Sequence, residues 1–240
     1  MQEAGAGEIL ANLSIGYIVL GALILTSFRL LLAPYRAPIA RSLSELTESL
    51  LMAGVLVFLV IRPFFLQAFF IPTESMERTL QGHDKGLSRT GVVYEDTVHD
   101  HLFVNKMIYR LRGPERGEII VFKAPKEADV EGNHQNENIL IKRLIGIPGD
   151  RILIKEGKLY RNGVEVVEPY IAQPMTTFDP SAAHYGVGEE LTLGPGQYFV
   201  MGDNRNHSWD SRFWGVVTRD RIIGEAAFLF WPLNRIRIIH

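Results

Sequence analysis

"NILIKRLIGIPGDRILIKEGKLYRNGVEVV", Asn138 to Val167, alternates apolar and polar residues between turn signals. Its side chains fall into two sets on an extended chain, Ile139, Ile141 and Arg143 on one face and Leu140, Lys142 and Leu144 on the other. Turn residues break it where strands should end. Pro148-Gly149-Asp150 closes the first run, and Asn162-Gly163 is the dipeptide that suits a two-residue hairpin. No helical period competes, so the segment reads as strands joined by tight turns.

The same pattern extends in both directions. "HLFVNKMIY" from His101, "GEIIVFKAP" from Gly117, "GQYFVMGDN" from Gly196 and "RIIGEAAFLFWPLNRIRII" from Arg221 are further candidate strands, punctuated at Pro114 and Pro195-Gly196. Many short strands with Gly and Pro between them point to a mostly β, antiparallel domain from about Pro72 onward. Gln173 to Gly196 is polar and weakly patterned and reads as a long exposed loop, part of a less regular β/loop insertion over residues 151–197.

The N-terminal third differs. Ser14 to Pro34 is apolar with a single charge, Arg29, and is long enough to span a bilayer as a helix. Leu50 to Ile71 is a second apolar block, interrupted by Arg62 and Pro63. Carried back through Leu46 it gives a second span, with Arg62 at the interface and Phe64, Phe65, Phe69 and Phe70 as an aromatic belt. A buried core helix is the competing reading of this block. The leading "MQEAGAGEIL" is acidic and no small-residue cleavage site follows, which disfavours a removable leader. Arg29, near the end of the first block, and Arg36 and Arg41, between the blocks, place that connection in the cytoplasm. The expectation is a membrane anchor over residues 1–62, with spans at 14–33 and 46–62, and an external domain over 63–240.

Composition narrows the chemistry. A formal charge of −2 on 240 residues makes no electrostatic case for nucleic acid. The absence of cysteine removes disulfides, thiolate catalysis and cysteine-ligated zinc.

Reactive candidates cluster in three places. In "FFIPTESMERTL", Phe69 to Leu80, Ser75 follows directly on the apolar block. It is either a turn-capping loop serine or a nucleophile at a membrane surface. Lys142 sits between leucines on its strand face, where desolvation would lower its pKa toward that of a usable base; an edge lysine snorkelling to water is the plain alternative. "MGDNRNHSWDSRFWG", Met201 to Gly215, offers His207 with Asp203 or Asp210 as a rival route to a Ser-His-Asp triad. His99 and His101 in "VHDH" form a conceivable metal pair that lacks a third ligand in register.

Three of these segments together resemble the bacterial type I signal peptidases. "IPTESMERTL" is similar to the family's nucleophile box P-S/T-x-S-M-x-P-T-L, and "IKRLIGIPGDRI" to its lysine box K-R-x-x-G-x-P-G-D. "MGDNRNHSWDSRFWG" agrees with G-D-N-R-x-x-S-x-D-S-R-x-W-G at every defined position, and "HDHLFVNK" agrees in part with a fourth box. The resemblance implies an antiparallel β catalytic domain anchored by two N-terminal transmembrane helices. It implies a membrane-bound serine endopeptidase on the extracytoplasmic side of the plasma membrane, acting on signal-peptide-bearing preproteins, with no metal or cofactor. It assigns Ser75 as nucleophile and Lys142 as general base, with Ser208 orienting the lysine and Thr73 joining the Ser75 N–H in an oxyanion hole. Ile71, Leu80, Leu140 and Ile141 would line substrate pockets, and Asp203, Arg205, Asp210 and Arg212 would brace the site. A catalytically silent member, or one with a dedicated substrate, is the alternative. The chain departs from the pattern at Arg78, which replaces a proline, at charged Glu74, at His99 in place of glycine, and in a longer path over residues 82–100.

Overall fold

The protein is described by a computed structural model over residues 15–35, 37–61, 64–88, 91–128, 139–171, 173–176 and 185–239. Arg36, Arg62 and Pro63 lie outside the described residues. The chain divides into two compact units, Met1–Ala68 and Phe69–His240.

The first unit holds two helices that pack on each other, Ile15–Leu32 and Pro38–Val55, the second continuing as a π-helical segment, Leu56–Ile61. Pro38 stands in the first turn, where its missing N–H leaves no hydrogen bond unmade and its fixed φ suits the helix. The second helix therefore starts ahead of the expected boundary at 46, taking in the polar stretch from Arg41 to Glu45. Among the described residues, Pro38–Ile61, 24 residues, is the one helix long and apolar enough to cross a membrane; the apolar helix before it is shorter.

The second unit is mostly antiparallel β. Its strands in chain order are β1 (Leu66–Phe70, which begins in the first unit), β2 (Gly82–His83), β3 (Gly86–Leu87), β4 (Val93–Tyr94), β5 (Val98–His99), β6 (His101–Asn105), β7 (Ile119–Lys123), β8 (Ile139–Gly146), β9 (Arg151–Lys155), β10 (Lys158–Arg161), β11 (Val164–Glu165), β12 (Leu191–Thr192), β13 (Gln197–Met201), β14 (Val217–Thr218), β15 (Ile222–Trp231) and β16 (Arg237–Ile238). The main sheet runs β1-β6-β15-β7-β8-β13-β14, with β16 beside β15. A second sheet runs β11-β10-β9-β12, and β2-β5 and β3-β4 form two small ribbons.

The main sheet is covered on both faces, which explains why β7 reads as an unbroken apolar run. Ile119 and Val121 join one core cluster, with Ile71, Met76, Leu80, Leu102 and Val104; Ile120 and Phe122 join another, with Leu144, Tyr198, Val200 and Trp214. The alternation expected for β8 holds, since Ile139 and Ile141 pack against the first cluster and Leu140 and Leu144 against the second. A third cluster, with Ile145, Ile152, Ile154, Leu159 and Phe199, joins the second sheet to the first.

Two local expectations are corrected. The strand expected over "HLFVNKMIY" stops at Asn105, whose side-chain oxygen accepts the Met107 and Ile108 N–H groups at 3.0 and 3.2 Å; a short helix, Ile108–Leu111, follows. An Asn in that position competes with the strand ladder and favours a turn. Nor is the segment after Gln173 an exposed loop throughout. Met175 and Leu193 are buried in the third cluster, Leu191–Thr192 pairs with β9, and Val187 bridges Ile154. Its apolar residues are too sparse to show a period, yet they are the ones that go inside. Residues 177–184 fall outside the described residues.

The Asn162-Gly163 hairpin forms as expected, with Arg161 opposite Val164. Asn162 takes a left-handed φ of 55°, and its side chain accepts the Arg151 N–H and donates to Asp150 Oδ1, both at 2.8 Å. Asn162→Ala loses both bonds and keeps the unfavourable φ. It is expected to destabilise the protein by about 1–3 kcal/mol, read as a lower urea midpoint; an unchanged midpoint would mean that the turn carries none of this.

Candidate active site

The residues that the sequence separates meet where the segment after β1 lies against the middle of β8 and the residues just past β13. Thr73 leads into a short 3₁₀ turn, Glu74–Met76, with Ser75 at its centre. The turn is anchored from below: Met76 is fully buried, the Leu80 N–H donates to the Met76 carbonyl, and Ile71 and Leu80 are in the first core cluster. Asn204, just past β13, holds the turn from the other side. Its N–H donates to the Ser75 carbonyl and its side-chain amide to the Glu74 carbonyl, each at 3.1 Å.

Lys142, in the middle of β8, places Nζ 2.6 Å from Ser75 Oγ. A protonated amine donates in this contact, whereas a free amine can take the hydroxyl proton. Lys142 is 4 % exposed, and burial lowers its pKa from 10.5 to about 8. Asp210 and Asp203 pull the other way, but each is matched by an arginine. Arg143 grips Asp203 with two bonds, Nε to Oδ1 at 2.8 Å and Nη2 to Oδ2 at 2.7 Å, and Arg212 grips Asp210 likewise at 2.8 Å each. The carboxylates nearest the lysine are therefore neutralised by arginines, and little remains to hold the ammonium charged. For Asp210, burial alone would raise the carboxyl, yet Arg212 and the Gly202 N–H outweigh it and keep the pKa low.

Ser208 is buried beside this contact, and its hydroxyl faces the Asp210 carboxylate, whose pKa it helps to keep low. It lies over Gly202, where no side chain is possible: a Cβ there would sit 2.3 Å from Ser208 Oγ and 2.4 Å from the Ser75 carbonyl oxygen. The Thr73 hydroxyl is 3.4 Å from Ser75 Oγ. Leu140 and Ile141 precede Lys142 on its strand, both half-buried. Arg205 and Arg212 are among the most buried side chains; Arg205 bonds Glu168 at 2.5 Å and the Gly202 carbonyl at 2.8 Å.

The triad alternative loses its partners. The Ser75 hydroxyl contacts Lys142 and Thr73, and Asp203 and Asp210 are bonded to arginines, Thr79 and backbone N–H groups rather than to His207. The "VHDH" pair is engaged otherwise. His99 Nδ1 meets the Ile71 carbonyl at 2.8 Å and Nε2 meets Asp84 at 3.1 Å, and no group of three or more potential ligands is arranged around a metal position among the described residues.

Sequence reasoning missed Arg143, Glu168 and Tyr170. Arg143 stands on the strand face opposite Lys142, yet it pins Asp203 and stacks 4.0 Å over the Tyr170 ring. Glu168 and Tyr170 come from the insertion, where "EPY" carries no periodic signal. The uncommon pairing of a carboxylate and an aromatic beside a proline is the one hint the sequence holds.

Comparison with known proteins gives the family. A family model described as "Signal peptidase, peptidase S26" matches residues 43–231. The chain is 37 % identical over 189 residues to "Probable signal peptidase I-2" of Synechocystis sp., covering 79 % of this chain and 74 % of that protein. It is 38 % identical over 195 residues to "Signal peptidase I" of Leptolyngbya laminosa, covering 80 % and 83 %. A crystal structure of a signal peptidase I from Enterococcus faecalis is 32 % identical, with a TM-score of 0.38 over 48 % of this chain and 97 % of that one. With most of its length matched, from the second helix through β15, the chain belongs to the signal peptidase family, peptidase S26.

Proposed function

We propose that the protein is a membrane-bound serine endopeptidase that removes signal peptides from exported preproteins, with Ser75 as nucleophile and Lys142 as general base. The observation that carries this reading is the 2.6 Å contact between a buried lysine amine and a serine hydroxyl on a separate element of the fold. A lysine of lowered pKa can accept the serine proton as Oγ attacks the scissile carbonyl, then return it to the leaving amine. The charge that develops on the carbonyl oxygen would be met by the Ser75 N–H, which as the second residue of its turn has no partner within the turn, and by the Thr73 hydroxyl. Ser208 would orient the amine. In support, Ser208 Oγ and the Ser75 carbonyl oxygen crowd the same position over Gly202, which sets the hydroxyl beside the dyad.

Ile71, Leu80, Leu140 and Ile141 would bound shallow pockets for small side chains. An extended substrate would add along a sheet edge, with main-chain bonds for affinity and the pockets for selection; β1, at one end of the main sheet, leads directly into the Ser75 turn. Two N-terminal helices spanning the plasma membrane, with the β unit on its outer face, would bring the site to the depth where a signal peptide emerges from lipid. Exposed Phe64 and Phe65 suit that boundary.

The test is cleavage of a purified preprotein by the full-length protein in lipid, with sequencing of the product N-terminus, for wild type and Ser75→Ala, with and without EDTA. The expected result is one cut after a pair of small residues, lost in Ser75→Ala and indifferent to EDTA. No cleavage of any of several preproteins would point instead to a silent or dedicated-substrate member.

A further inference from the structure

Residues 82–88 and 91–99, in the stretch by which this chain exceeds the family's motif spacing, fold back onto the Ser75 turn. β2 is pressed against the backbone just before Ser75: a Cβ at Gly82 would lie 2.6 Å from the Ile71 carbonyl oxygen and 2.7 Å from the Thr73 nitrogen. His99 bonds the Ile71 carbonyl, and the Ile71 N–H donates to the Asp100 carbonyl, both at 2.8 Å. Asp100 is itself gripped by Arg235 at 2.7 and 2.9 Å.

The second point of attachment is chemical. Tyr94, at the end of β4, lies within hydrogen-bond distance of two carboxylates that bracket the nucleophile, Glu74 Oε2 at 2.9 Å and Glu77 Oε2 at 2.8 Å. Glu74 is buried. The Tyr94 ring stacks on His83 at 3.8 Å, and His83 Nδ1 meets the other Glu77 oxygen at 2.5 Å. Asp96 stands 3.6 Å from His83 Nε2 at the outer end of this chain of contacts. Burial and the Glu77 and Glu74 carboxylates keep the phenol protonated, so its one hydrogen lies between the two carboxylates as a shared donor.

We propose that Tyr94 is a positioning residue for Ser75, a clamp that holds together the two carboxylates bracketing the nucleophile. Resting on the Ser75–Lys142 reading, this gives the 82–99 insertion a role in the reaction. Two carboxylates that converge on one point in a water-poor site repel unless a donor lies between them. Without the phenol hydrogen, Glu74 is driven outward, and Ser75, the next residue, moves with it. Its Oγ must stay 2.6 Å from an amine fixed on β8, so a displacement of even an ångström falls on the chemical step.

The test measures kcat and KM for preprotein cleavage by the full-length protein as wild type, Tyr94→Phe, Glu74→Gln, the double variant and Ser75→Ala. Thermal melting of each is followed alongside. Tyr94→Phe keeps the ring and its stack on His83. It is expected to lower kcat about tenfold with KM within about twofold of wild type. Adding Glu74→Gln to Tyr94→Phe removes one of the two charges and is expected to restore most of the lost kcat, a non-additivity that general destabilisation would not produce. Wild-type kcat in Tyr94→Phe, a loss confined to KM, or no relief in the double variant overturns the clamp. A loss that only follows the melting temperature overturns it too. Cleavage by Ser75→Ala equal to wild type would instead overturn the dyad on which the clamp rests.

Discussion

Lys142→Met is expected to abolish cleavage, with kcat lower by on the order of 10⁴-fold or more at every pH, because among the described residues no other group contacts Ser75 Oγ closely enough to take its proton. The wild type carries a matching signature. Burial sets the Lys142 pKa at about 8, so kcat/KM should rise roughly tenfold per pH unit below that value and level off above it. A histidine base would put the bend nearer its ordinary value of about 6.5. His207→Ala should therefore leave both rate and profile in place. Activity retained in Lys142→Met and lost in His207→Ala would sink the dyad. The same shift bears on stability. Between about 8 and 10.5 the unfolded chain still holds a proton that the folded lysine has shed, so this group makes the fold more stable as pH rises through that window. Below pH 8 the cost of burying the ammonium is felt in full.

Arg143→Met should destabilise the protein by about 3–5 kcal/mol, the largest stability effect expected of a single substitution near the site. Asp203 is wholly buried, and Arg143 supplies two of its hydrogen bonds, leaving the Thr79 hydroxyl at 2.5 Å as the other side-chain donor. Removing the guanidinium strands a carboxylate that water cannot reach. The double variant Arg143→Met/Asp203→Leu removes both charges and should recover much of the loss, since a buried pair contributes little beyond its own desolvation. Urea unfolding followed by tryptophan fluorescence reads both. Equal midpoints for Arg143→Met and wild type would mean that Asp203 is not the buried, dependent charge it is drawn as, and a double variant no better than the single would place the cost in lost packing against Tyr170.

Much of the main sheet was legible because a strand announces itself locally. The alternation over Ile139–Gly146 and the unbroken run at Ile119–Phe122 follow from which faces are buried, and the Asn162-Gly163 turn follows from the left-handed φ those residues accept. Ser75, Lys142 and the Gly202–Gly215 segment were legible through the resemblance, the first two with a physical reason beside it. The Met175 and Leu193 contribution to the core, the stop at Asn105, the Arg143–Asp203 pair and the Glu168–Arg205 contact were not.

By itself, then, the sequence determined that the chain has an apolar N-terminal third, a β-rich remainder and a serine, a lysine and a charged loop of recognisable order. Only the tertiary structure decided that these meet. Lys142 and Ser75 are 67 residues apart in sequence, Arg143 and Asp203 60, and Tyr94 and Glu74 20. Each of these contacts joins separate elements of the fold. Local patterning reports the next turn of a helix or the next pleat of a strand, whereas those separations are closed by tertiary packing, of β13 beside β8 for Arg143 and Asp203, and of the Ser75 turn against β8 and β4 for the other two. Closure also decides the chemistry, since a lysine becomes a base through the water that the assembled core keeps away from it.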